Sequence, residues 1–305
     1  MPTTKEIAQF LNLQLFGSSN TIIDKVASFP PKHSEVSFIK KSDNKIDEIL
    51  KNNKGCDCLI IADISLKNIV DLSCSNFIFS QQPKYDLARV HWNFFNVNNN
   101  SSEEDFSITS NNSIIGRLVK IGRDVDIGPG CVLLGDIEIG SGSKIGSNVV
   151  IKNKVILGEN VTVLSGAVIG ENAFSYGFGV KGESIIFPSL SGVVIEDNVR
   201  IGNNVTISRG IFENTEICCG VIIDDLTNVG NAAKIGKNCK IMANCSISGR
   251  VTLMNNCFLG RGSSIKQGVK IGRNSILGMG SVIVSDIDKD IVAYGVPAKF
   301  KRTLL

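Results

Sequence analysis

The sequence predicts a parallel β-helix that follows a small α/β domain. An apolar residue recurs at every sixth position over most of residues 113–285, and glycine follows many of these apolar residues. Residues 1–96 lack this period and instead mix helix and strand signals. An α-helix would place apolar residues every three or four positions. A period of six instead suits stacked coils in which each hexad forms one short strand and one turn.

Residues 1–96 have the pattern of an α/β domain. TTKEIAQFLN predicts a capped helix, because Thr3 and Glu6 have the spacing of a capping box. The apolar runs SEVSFI, CDCLIIAD and NFIFS predict strands, and IDEILKN predicts a helix between the first two. The polar stretch NVNNNSSEEDFSITSNN is low in complexity and predicts a linker at residues 97–112.

The six-residue repeat defines a second domain at residues 113–285. Its apolar positions run from Ile115 to Ile169, resume at Ile195, and then run from Ile217 to Ile283. Each apolar side chain is expected to point into the coil, while glycine or asparagine accepts the positive φ of the corner. Residues 286–305 follow the last repeat as a short C-terminal tail.

Two interruptions break the repeat. The first, at residues 174–191, is too long for a corner and must loop out of the coil. Its aromatic residues indicate a segment that covers a substrate, since loops on rigid scaffolds often carry function. A tolerated insertion without a role is the alternative. The second interruption is a slip of register at residues 208–215.

Composition narrows the function classes. A net charge of +3 is too small to indicate a nucleic acid or a membrane surface as partner. The nine cysteines lack the usual zinc spacings, so reduced thiols and no metal site are expected. Neither a signal peptide nor a long apolar run is evident, so we expect a cytoplasmic protein without membrane insertion. His33 and His91 are expected to have structural or surface roles.

Several motifs resemble the UDP-3-O-acylglucosamine N-acyltransferases of lipid A synthesis. VASFPPKHSEVSFI and QQPKYDLARV are similar to that family's N-terminal domain, and AFSYGFGVKGESIIFPSLSGVVI is similar to its insertion. VTISRG followed by GVIIDDLTNVGNAAKIG is similar to its catalytic segment. The resemblance implies a left-handed β-helix and a homotrimer with active sites between subunits. It also implies acyl transfer from a phosphopantetheine thioester to the amine of a nucleotide-linked amino sugar, with no permanently bound cofactor.

The resemblance also implies catalytic positions. The family's catalytic histidine falls on Asn231, and an amide cannot act as a general base. Gly249 matches the position whose backbone N–H faces the thioester oxygen, and Asp224 matches an aspartate that holds the amine or takes its proton. Each residue also has a structural interpretation. Asn231 and Gly249 could be ordinary corner residues of the repeat, and Asp224 could be a turn residue exposed to water. Asp225 is a weaker candidate, for substrate binding.

Other matched positions imply contacts to the nucleotide sugar. The family's uracil-stacking pair falls on Phe38 and Asn44, so one ring is missing, and Lys41 replaces a polar neighbour. Phe174 and Tyr176 match the aromatic pair of the insertion and are expected to bind substrate.

The C-terminal tail favours one acyl donor over another. The family's long C-terminal helix, which helps to receive acyl carrier protein, is replaced by VAYGVPAKFKRTLL, which is similar to the tails of coenzyme A-dependent hexapeptide transferases. Lys299, Lys301 and Arg302 are expected to meet the nucleotide phosphates of coenzyme A. The sequence therefore favours acyl-CoA as co-substrate, in a reaction that serves a surface glycan.

Two other functions stay open. One is the lipid A reaction itself, with acyl carrier protein as the donor. The other is a non-catalytic paralogue that binds a sugar nucleotide, which Asn231 and Ser208 favour because Ser208 stands where the family usually has aspartate.

Overall fold

The computed structural model describes residues 1–40, 57–72, 75–96 and 105–303. The chain forms two compact units. The first contains Met1–Asn99 and Phe174–Pro188, and the second contains Asn100–Ala173 and Ser189–Leu305. The helix predicted for IDEILKN, at residues 46–52, lies outside the described residues.

The first unit is built around a five-stranded sheet. Its strands are β1 Leu15–Phe16, β2 Lys25–Val26, β3 Glu35–Ile39, β4 Leu59–Asp63 and β5 Asn76–Ser80. They lie in the order β1–β5–β4–β3–β2, in which β1 runs antiparallel to β5 and the other pairs are parallel. The three predicted strand segments coincide with β3, β4 and β5, which confirms them. Leu59, Ile60 and Ile61 on β4 are fully buried.

Helix α1, Thr4–Leu11, begins with the predicted capping box. The Thr3 backbone N–H donates to the Glu6 carboxylate at 2.7 Å, and the Glu6 N–H donates to the Thr3 hydroxyl at 3.3 Å. The helix ends at Asn12, which takes a left-handed conformation. The predicted N-terminal helix is confirmed.

Helix α2, Pro83–Val90, lies in the segment QQPKYDLARV, where the apolar period alone does not predict a helix. Its proline is in the first turn, where the missing N–H costs nothing. The buried carboxylate of Asp86 accepts hydrogen bonds from the Ser80 hydroxyl and from Arg89, the latter at 3.2 Å. These contacts tie α2 to the end of β5. A 3-10 turn at Ile64–Leu66 follows β4, and a π-helical turn at His91–Phe95 follows α2.

The second unit is a parallel β-helix whose coils contribute one strand each to three sheets, A, B and C. Sheet A contains β6 Phe106–Ile108, β7 Ile114–Gly116, β10 Val132–Leu134, β13 Val150–Lys152, β16 Val168–Glu171, β21 Thr206–Ser208, β24 Asn228–Val229, β27 Ser246–Ile247, β30 Ser264–Ile265 and β33 Val282–Ile283. Sheet B contains β8 Lys120–Ile121, β11 Ile137–Ile139, β14 Val155–Leu157, β19 Val193–Ile195, β22 Thr215–Ile217, β25 Lys234–Ile235, β28 Thr252–Leu253 and β31 Lys270–Ile271. Sheet C contains β9 Asp126–Ile127, β12 Lys144–Ile145, β15 Thr162–Val163, β20 Arg200–Ile201, β23 Ile222–Ile223, β26 Lys240–Ile241, β29 Phe258–Leu259, β32 Ile276–Leu277, β34 Ile291–Gly295 and β35 Ala298–Thr303.

The six-residue repeat forms the core of this unit, as predicted. Every repeat position from Leu133 to Ile283 is at most 3% exposed. Ile121 is 45% exposed, because it lies in the first coil and no coil precedes it. Cysteines fill further interior positions as small apolar side chains, namely Cys131, Cys239, Cys245 and Cys257.

The ends of the β-helix differ from its body. Strand β6 runs antiparallel to β7 and lies within the range predicted as linker. In the range predicted as tail, β34 and β35 form an antiparallel hairpin, and β34 pairs with β32 of sheet C. No helix among the described residues is both long and apolar enough to cross a membrane.

The insertion loops out of the β-helix, as predicted, and forms a hairpin that belongs to the first unit. Its strands, β17 Tyr176–Phe178 and β18 Ser184–Ile186, pair in antiparallel fashion. Gly177 approaches α2 so closely that a Cβ atom there would lie 2.7 Å from the Tyr85 Cα. The Trp92 indole N–H donates to the Ile186 carbonyl at 2.8 Å. The hairpin is therefore held to α2 and to the turn that follows it.

The two histidines of the chain have different surroundings. His91 is partly buried, its Nδ1 has no hydrogen-bond partner among the described residues, and burial lowers its pKa below the ordinary value of 6.5. The side chain of His33 is 71% exposed. His91 also contacts Trp92, the single tryptophan of the chain, with ring centroids 5.4 Å apart.

We predict that His91 makes the first unit less stable as the pH falls below about 6.5. Because the pKa of His91 is lower in the folded state, the unfolded chain binds the proton first. Stability is therefore lost as the pH falls through the unfolded value, and the loss ends once the folded pKa is passed. The measurement is the denaturant midpoint followed by Trp92 fluorescence at pH 7.5 and 5.5. His91→Gln should reduce the pH dependence relative to the unsubstituted chain; an unchanged pH dependence would contradict the prediction.

Candidate functional site

Asn231 and Gly249 lie at one corner of the β-helix, in neighbouring coils. The corners follow β24 and β27 of sheet A, which are paired in parallel. The Arg250 N–H donates to the Asn231 carbonyl at 2.8 Å. A Cβ atom on Gly249 would lie 2.5 Å from the Asn231 Oδ1, so the Asn231 amide occupies the space that a side chain at position 249 would need. The structure thus brings together two of the three predicted catalytic residues.

Two hydrogen-bond donors are available at this corner. Within the described parts of the chain, no hydrogen bond involves the side chain of Asn231 or the backbone N–H of Gly249. Both groups can therefore donate to a bound molecule. Paired donors fixed by a rigid backbone can stabilise the oxyanion of a tetrahedral intermediate.

Asp224 and Asp225 lie at a different corner of the same coil. They follow β23 of sheet C, and β24 of sheet A separates them from Asn231. The intervening chain spans roughly 15 Å, at about 3.3 Å per extended residue. A single chain therefore does not bring Asp224 next to Asn231.

The two aspartates differ in their contacts. The Asp225 Oδ1 accepts hydrogen bonds from the Asn203 backbone N–H at 2.7 Å and from the Asn203 side-chain amide at 3.0 Å. The Asp224 Oδ1 accepts one hydrogen bond, from the Asp225 N–H at 2.9 Å. Asp225 therefore holds two neighbouring coils together, whereas the half-exposed Asp224 carboxylate keeps acceptor positions for a ligand. A substrate role for Asp225 stays a prediction.

The corners with these candidates also carry strained residues. Every non-glycine residue with positive φ in the described β-helix is asparagine or aspartate, except Leu226, Ala232 and Arg250. Their φ angles are 59°, 54° and 59°, which cost about 1 kcal/mol or more for such residues. Leu226 follows Asp225, Ala232 follows Asn231, and Arg250 follows Gly249. Strain of this kind clusters at functional sites. The sequence contains the signal for it, because these three corner positions of the repeat lack the usual glycine or asparagine.

Phe38 lies on β3 in the first unit and is half-buried. Its ring centroid is 6.0 Å from that of Phe187, a buried residue of the same unit. The Lys84 ammonium group lies 5.4 Å from the centroid of the Phe187 ring. Lys41 and Asn44, the other predicted nucleotide contacts, lie outside the described residues.

The insertion hairpin carries a row of three aromatic rings. The ring centroids of Phe174 and Tyr176 are 5.2 Å apart, and those of Tyr176 and Phe178 are 4.8 Å apart, both in edge-to-face geometry. Phe174 is 86% exposed and Phe178 is 62% exposed. This row suits contact with a flat or apolar ligand group.

The predicted phosphate-binding residues share one face of the C-terminal hairpin. Lys299 pairs with Tyr294, and Arg302 pairs with Val292, because a β-bulge in β35 inserts one extra residue between them. Without the bulge, Lys299 and Arg302 would point to opposite faces. The Lys301 ammonium group lies 4.7 Å from the centroid of the Tyr294 ring. Among the described residues, no three potential metal ligands come together.

Two known protein families match parts of the six-residue repeat. The family described as bacterial transferase hexapeptide (six repeats) matches residues 118–153 and 250–285. The family described as hexapeptide repeat of succinyl-transferase matches residues 166–209. These matches cover less than half of the chain, and they confirm the hexapeptide repeat.

Curated relatives share part of the sequence. The UDP-3-O-acylglucosamine N-acyltransferase of Campylobacter lari is 39% identical over 87 residues, which are 28% of this chain and 27% of the relative. The enzyme of the same name from Rhizobium meliloti is 40% identical over 76 residues, which are 25% of this chain and 22% of the relative. Over these segments the chain is similar to these acyltransferases. The matches span about a quarter of the length of the curated relatives.

Solved structures share the fold. LpxA from Acinetobacter baumannii matches with a TM-score of 0.56 and 24% identity, over 64% of this chain and 73% of that protein. LpxA, a UDP-N-acetylglucosamine acyltransferase from Bacteroides fragilis, matches with a TM-score of 0.57 and 23% identity, over 65% of this chain and 74% of that protein. At these identities the likeness concerns the fold, and the prediction of a left-handed parallel β-helix is confirmed.

We predict that relieving the corner strain stabilises the β-helix. Ala232→Asn and Leu226→Asn replace residues that resist positive φ with one that tolerates it, so each should raise the free energy of unfolding by about 0.5–1 kcal/mol. The measurement is the thermal midpoint by circular dichroism at a fixed heating rate. Asn238→Ala, at an ordinary corner with a φ of 58°, is the matched control and should lower the midpoint. Unchanged or lower midpoints for both asparagine variants would show that these corners are not strained.

Proposed function

We propose that this protein is an N-acyltransferase that transfers an acyl group from a coenzyme A thioester to the amine of a nucleotide-linked amino sugar. The observation that carries the proposal is the corner where the Asn231 amide packs against Gly249, and where neither this amide nor the Gly249 N–H has a hydrogen-bond partner among the described residues. The partial match to named N-acyltransferases supports the same reaction class.

The proposed reaction begins when the amine nitrogen attacks the thioester carbonyl. A C–N bond forms, and the carbonyl oxygen becomes an oxyanion that accepts hydrogen bonds from the Gly249 N–H and the Asn231 side-chain N–H. Collapse of the intermediate breaks the C–S bond and releases coenzyme A as the thiolate. The base that has taken the proton of the amine passes it to this thiolate, so the products are an amide and a thiol. One such oxyanion donor contributes ~10²–10³-fold to the rate.

The proton of the amine needs an acceptor other than Asn231. We assign this role to Asp224, whose carboxylate has acceptor positions available. A well-placed general base contributes ~10²–10⁴-fold. Replacement of the family's histidine by an amide should therefore slow the reaction without abolishing it.

The separation of Asp224 and Asn231 supports a homotrimeric enzyme. The two residues occupy neighbouring corners of one coil and do not contact each other, so a single protomer does not bring the oxyanion donors and the base together. In a closed threefold ring, each interface joins one surface of a protomer to a different surface of the next. We propose that the Asn231 corner of one protomer meets the Asp224 corner of its neighbour, where together they form one active site.

The remaining predicted residues suit the two substrates. The cations Lys299, Lys301 and Arg302 around Tyr294 favour coenzyme A, since its nucleotide carries phosphates that such side chains bind. Phe38 and the aromatic row of the insertion hairpin favour a nucleotide base and sugar. Both assignments are proposals that rest on chemistry.

Two other functions are each favoured by one observation. The names of the curated relatives favour N-acylation of a UDP-linked 3-O-acylglucosamine. The corresponding proposal is the lipid A reaction with acyl carrier protein as donor, which the resemblance implies. The amide at Asn231, where the family has its base, favours a paralogue that binds sugar nucleotides without catalysis.

The deciding experiment is to incubate the full chain with UDP- or dTDP-linked amino sugars and to measure the masses of the products. Each acceptor is paired in turn with acetyl-CoA, longer acyl-CoA or acyl carrier protein thioesters. We expect an acylated sugar with a coenzyme A donor. Product from acyl carrier protein alone would favour the lipid A reaction, and bound nucleotide sugar without any product would favour the paralogue.

We also predict that Asn231→Ala lowers kcat by ~10²–10³-fold, because it removes one of the two proposed oxyanion donors. Asn228→Ala is the matched control, since Asn228 is an exposed asparagine on β24 that bonds to Thr206 at 2.8 Å. The control should leave kcat unchanged. An equal response of both variants would contradict the role of Asn231.

A further inference from the structure

Thr215 is a polar residue in an apolar column of the β-helix. It is the first residue of β22, and its side chain is fully buried. A buried hydroxyl costs free energy unless it is hydrogen-bonded, so its presence here requires partners that an apolar side chain would leave unsatisfied. Positions in register with it along sheet B carry buried apolar side chains, namely Ile137, Val155, Val193, Ala233, Val251 and Val269.

The Thr215 hydroxyl joins backbone groups from two neighbouring coils. It donates to the carbonyl of Ser208, at the end of β21, at 2.7 Å. It accepts from the N–H of Ala232, in the corner that follows β24, at 2.8 Å. The hydroxyl thus uses its donor and an acceptor position at once, and the second bond reaches the residue next to Asn231.

The second interruption of the repeat explains why a side chain takes this place. At corners away from the interruptions, the N–H of the residue with positive φ donates to the carbonyl 19 positions earlier, as the Asn238 N–H does to the Cys219 carbonyl at 3.1 Å. The position 19 before Ala232 is Glu213, which lies within the interruption. The Ala232 N–H bonds to the Thr215 hydroxyl instead. The side chain therefore replaces a backbone acceptor of the regular β-helix.

The bond to Thr215 holds one end of the peptide group that joins Asn231 to Ala232. The other end, the Asn231 carbonyl, accepts from the Arg250 N–H at 2.8 Å. This peptide group is therefore clamped on both sides, by the preceding and the following coil. Because a peptide group is planar, fixing it sets the ψ angle of Asn231 and limits where its side-chain amide can lie. The clamp also holds Ala232 at its φ of 54°.

We propose that Thr215 is a positioning residue, which sets the Asn231 amide beside Gly249 for the reaction. It acts through the peptide group between residues 231 and 232 and does not itself contact the substrates. Oxyanion stabilisation requires donors that are in place before charge develops. This inference rests on the proposed function, because it takes Asn231 as an oxyanion donor, whereas the clamp on the peptide group is independent of that function.

The first test compares acyl transfer by the Thr215→Val and Thr215→Ser variants of the full chain. Valine keeps the shape of threonine without the hydroxyl, so kcat should fall by ~10–10²-fold while KM for both substrates stays within about twofold. Serine keeps the hydroxyl and should restore most of kcat. If Thr215→Val does not fold, Thr215→Cys takes its place, because other buried columns of this β-helix hold cysteine and a thiol is a weak donor and acceptor.

Ser143→Ala is the matched control. The Ser143 hydroxyl is also buried and also joins two backbone groups, the Gly158 carbonyl and the Val161 N–H, both at 3.1 Å. It lies in coils that contain neither Asn231 nor Gly249. Its loss should lower the thermal midpoint and leave kcat unchanged. A Thr215→Val variant that behaves in the same way would overturn the proposal, as would a serine variant as slow as the valine variant.

Hydrogen exchange followed by mass spectrometry tests the clamp without relying on catalysis. In residues 229–236, Thr215→Val should take up about one more deuterium at short times than the unsubstituted chain, because the Ala232 N–H loses its partner. Ser143→Ala should not change exchange there. Unchanged exchange in Thr215→Val would overturn the clamp. Faster exchange in a protein that forms no product would reject the proposed reaction and keep the role of Thr215 in placing Asn231.

Discussion

The hydrogen bonds between successive coils of the β-helix are the constraint on which the rest of the structure depends. The Gly230 N–H donates to the Ile247 carbonyl at 2.7 Å, and bonds of this kind recur along all three sheets. They fix which residues become neighbours, because one coil of three hexads places residues 18 positions apart side by side. Asn231 and Gly249 are such a pair, and their contact follows from the repeat rather than from any attraction between them.

The same bonds absorb the two interruptions. Thr162 pairs directly with Arg200 although the insertion lies between them, and Arg200 pairs with Ile222 although the slip at residues 208–215 lies between those two. The β-helix therefore keeps its register while the insertion joins the first unit as a hairpin. The regular β-helix is therefore compatible with an insertion that belongs to a different unit.

Much of this architecture could be predicted, because buried positions of a β-helix need an apolar side chain at a fixed period. The strand positions from Leu133 to Ile283, the capped first helix and the pairing of Asn231 with Gly249 all follow from local pattern or from the 18-residue step. Helix α2 was not predicted, since its stability comes from buried contacts of Asp86 that only the folded unit provides. The bulge that gathers the C-terminal cations depends on strand register, which the order of residues alone does not determine.

In the proposed reaction, each chain contributes two separated half-sites, one at Asn231 and one at Asp224, which become complete between protomers. This arrangement is tested most directly by co-expressing Asn231→Ala and Asp224→Ala chains in equal amounts and measuring acyl transfer by the purified mixture. If neighbouring protomers share the site, random assembly of trimers leaves about a quarter of the sites with both native residues, so about a quarter of the wild-type rate should return. A mixture with no more activity than the two variants assayed alone would contradict the account, since the site would then be formed within a single chain.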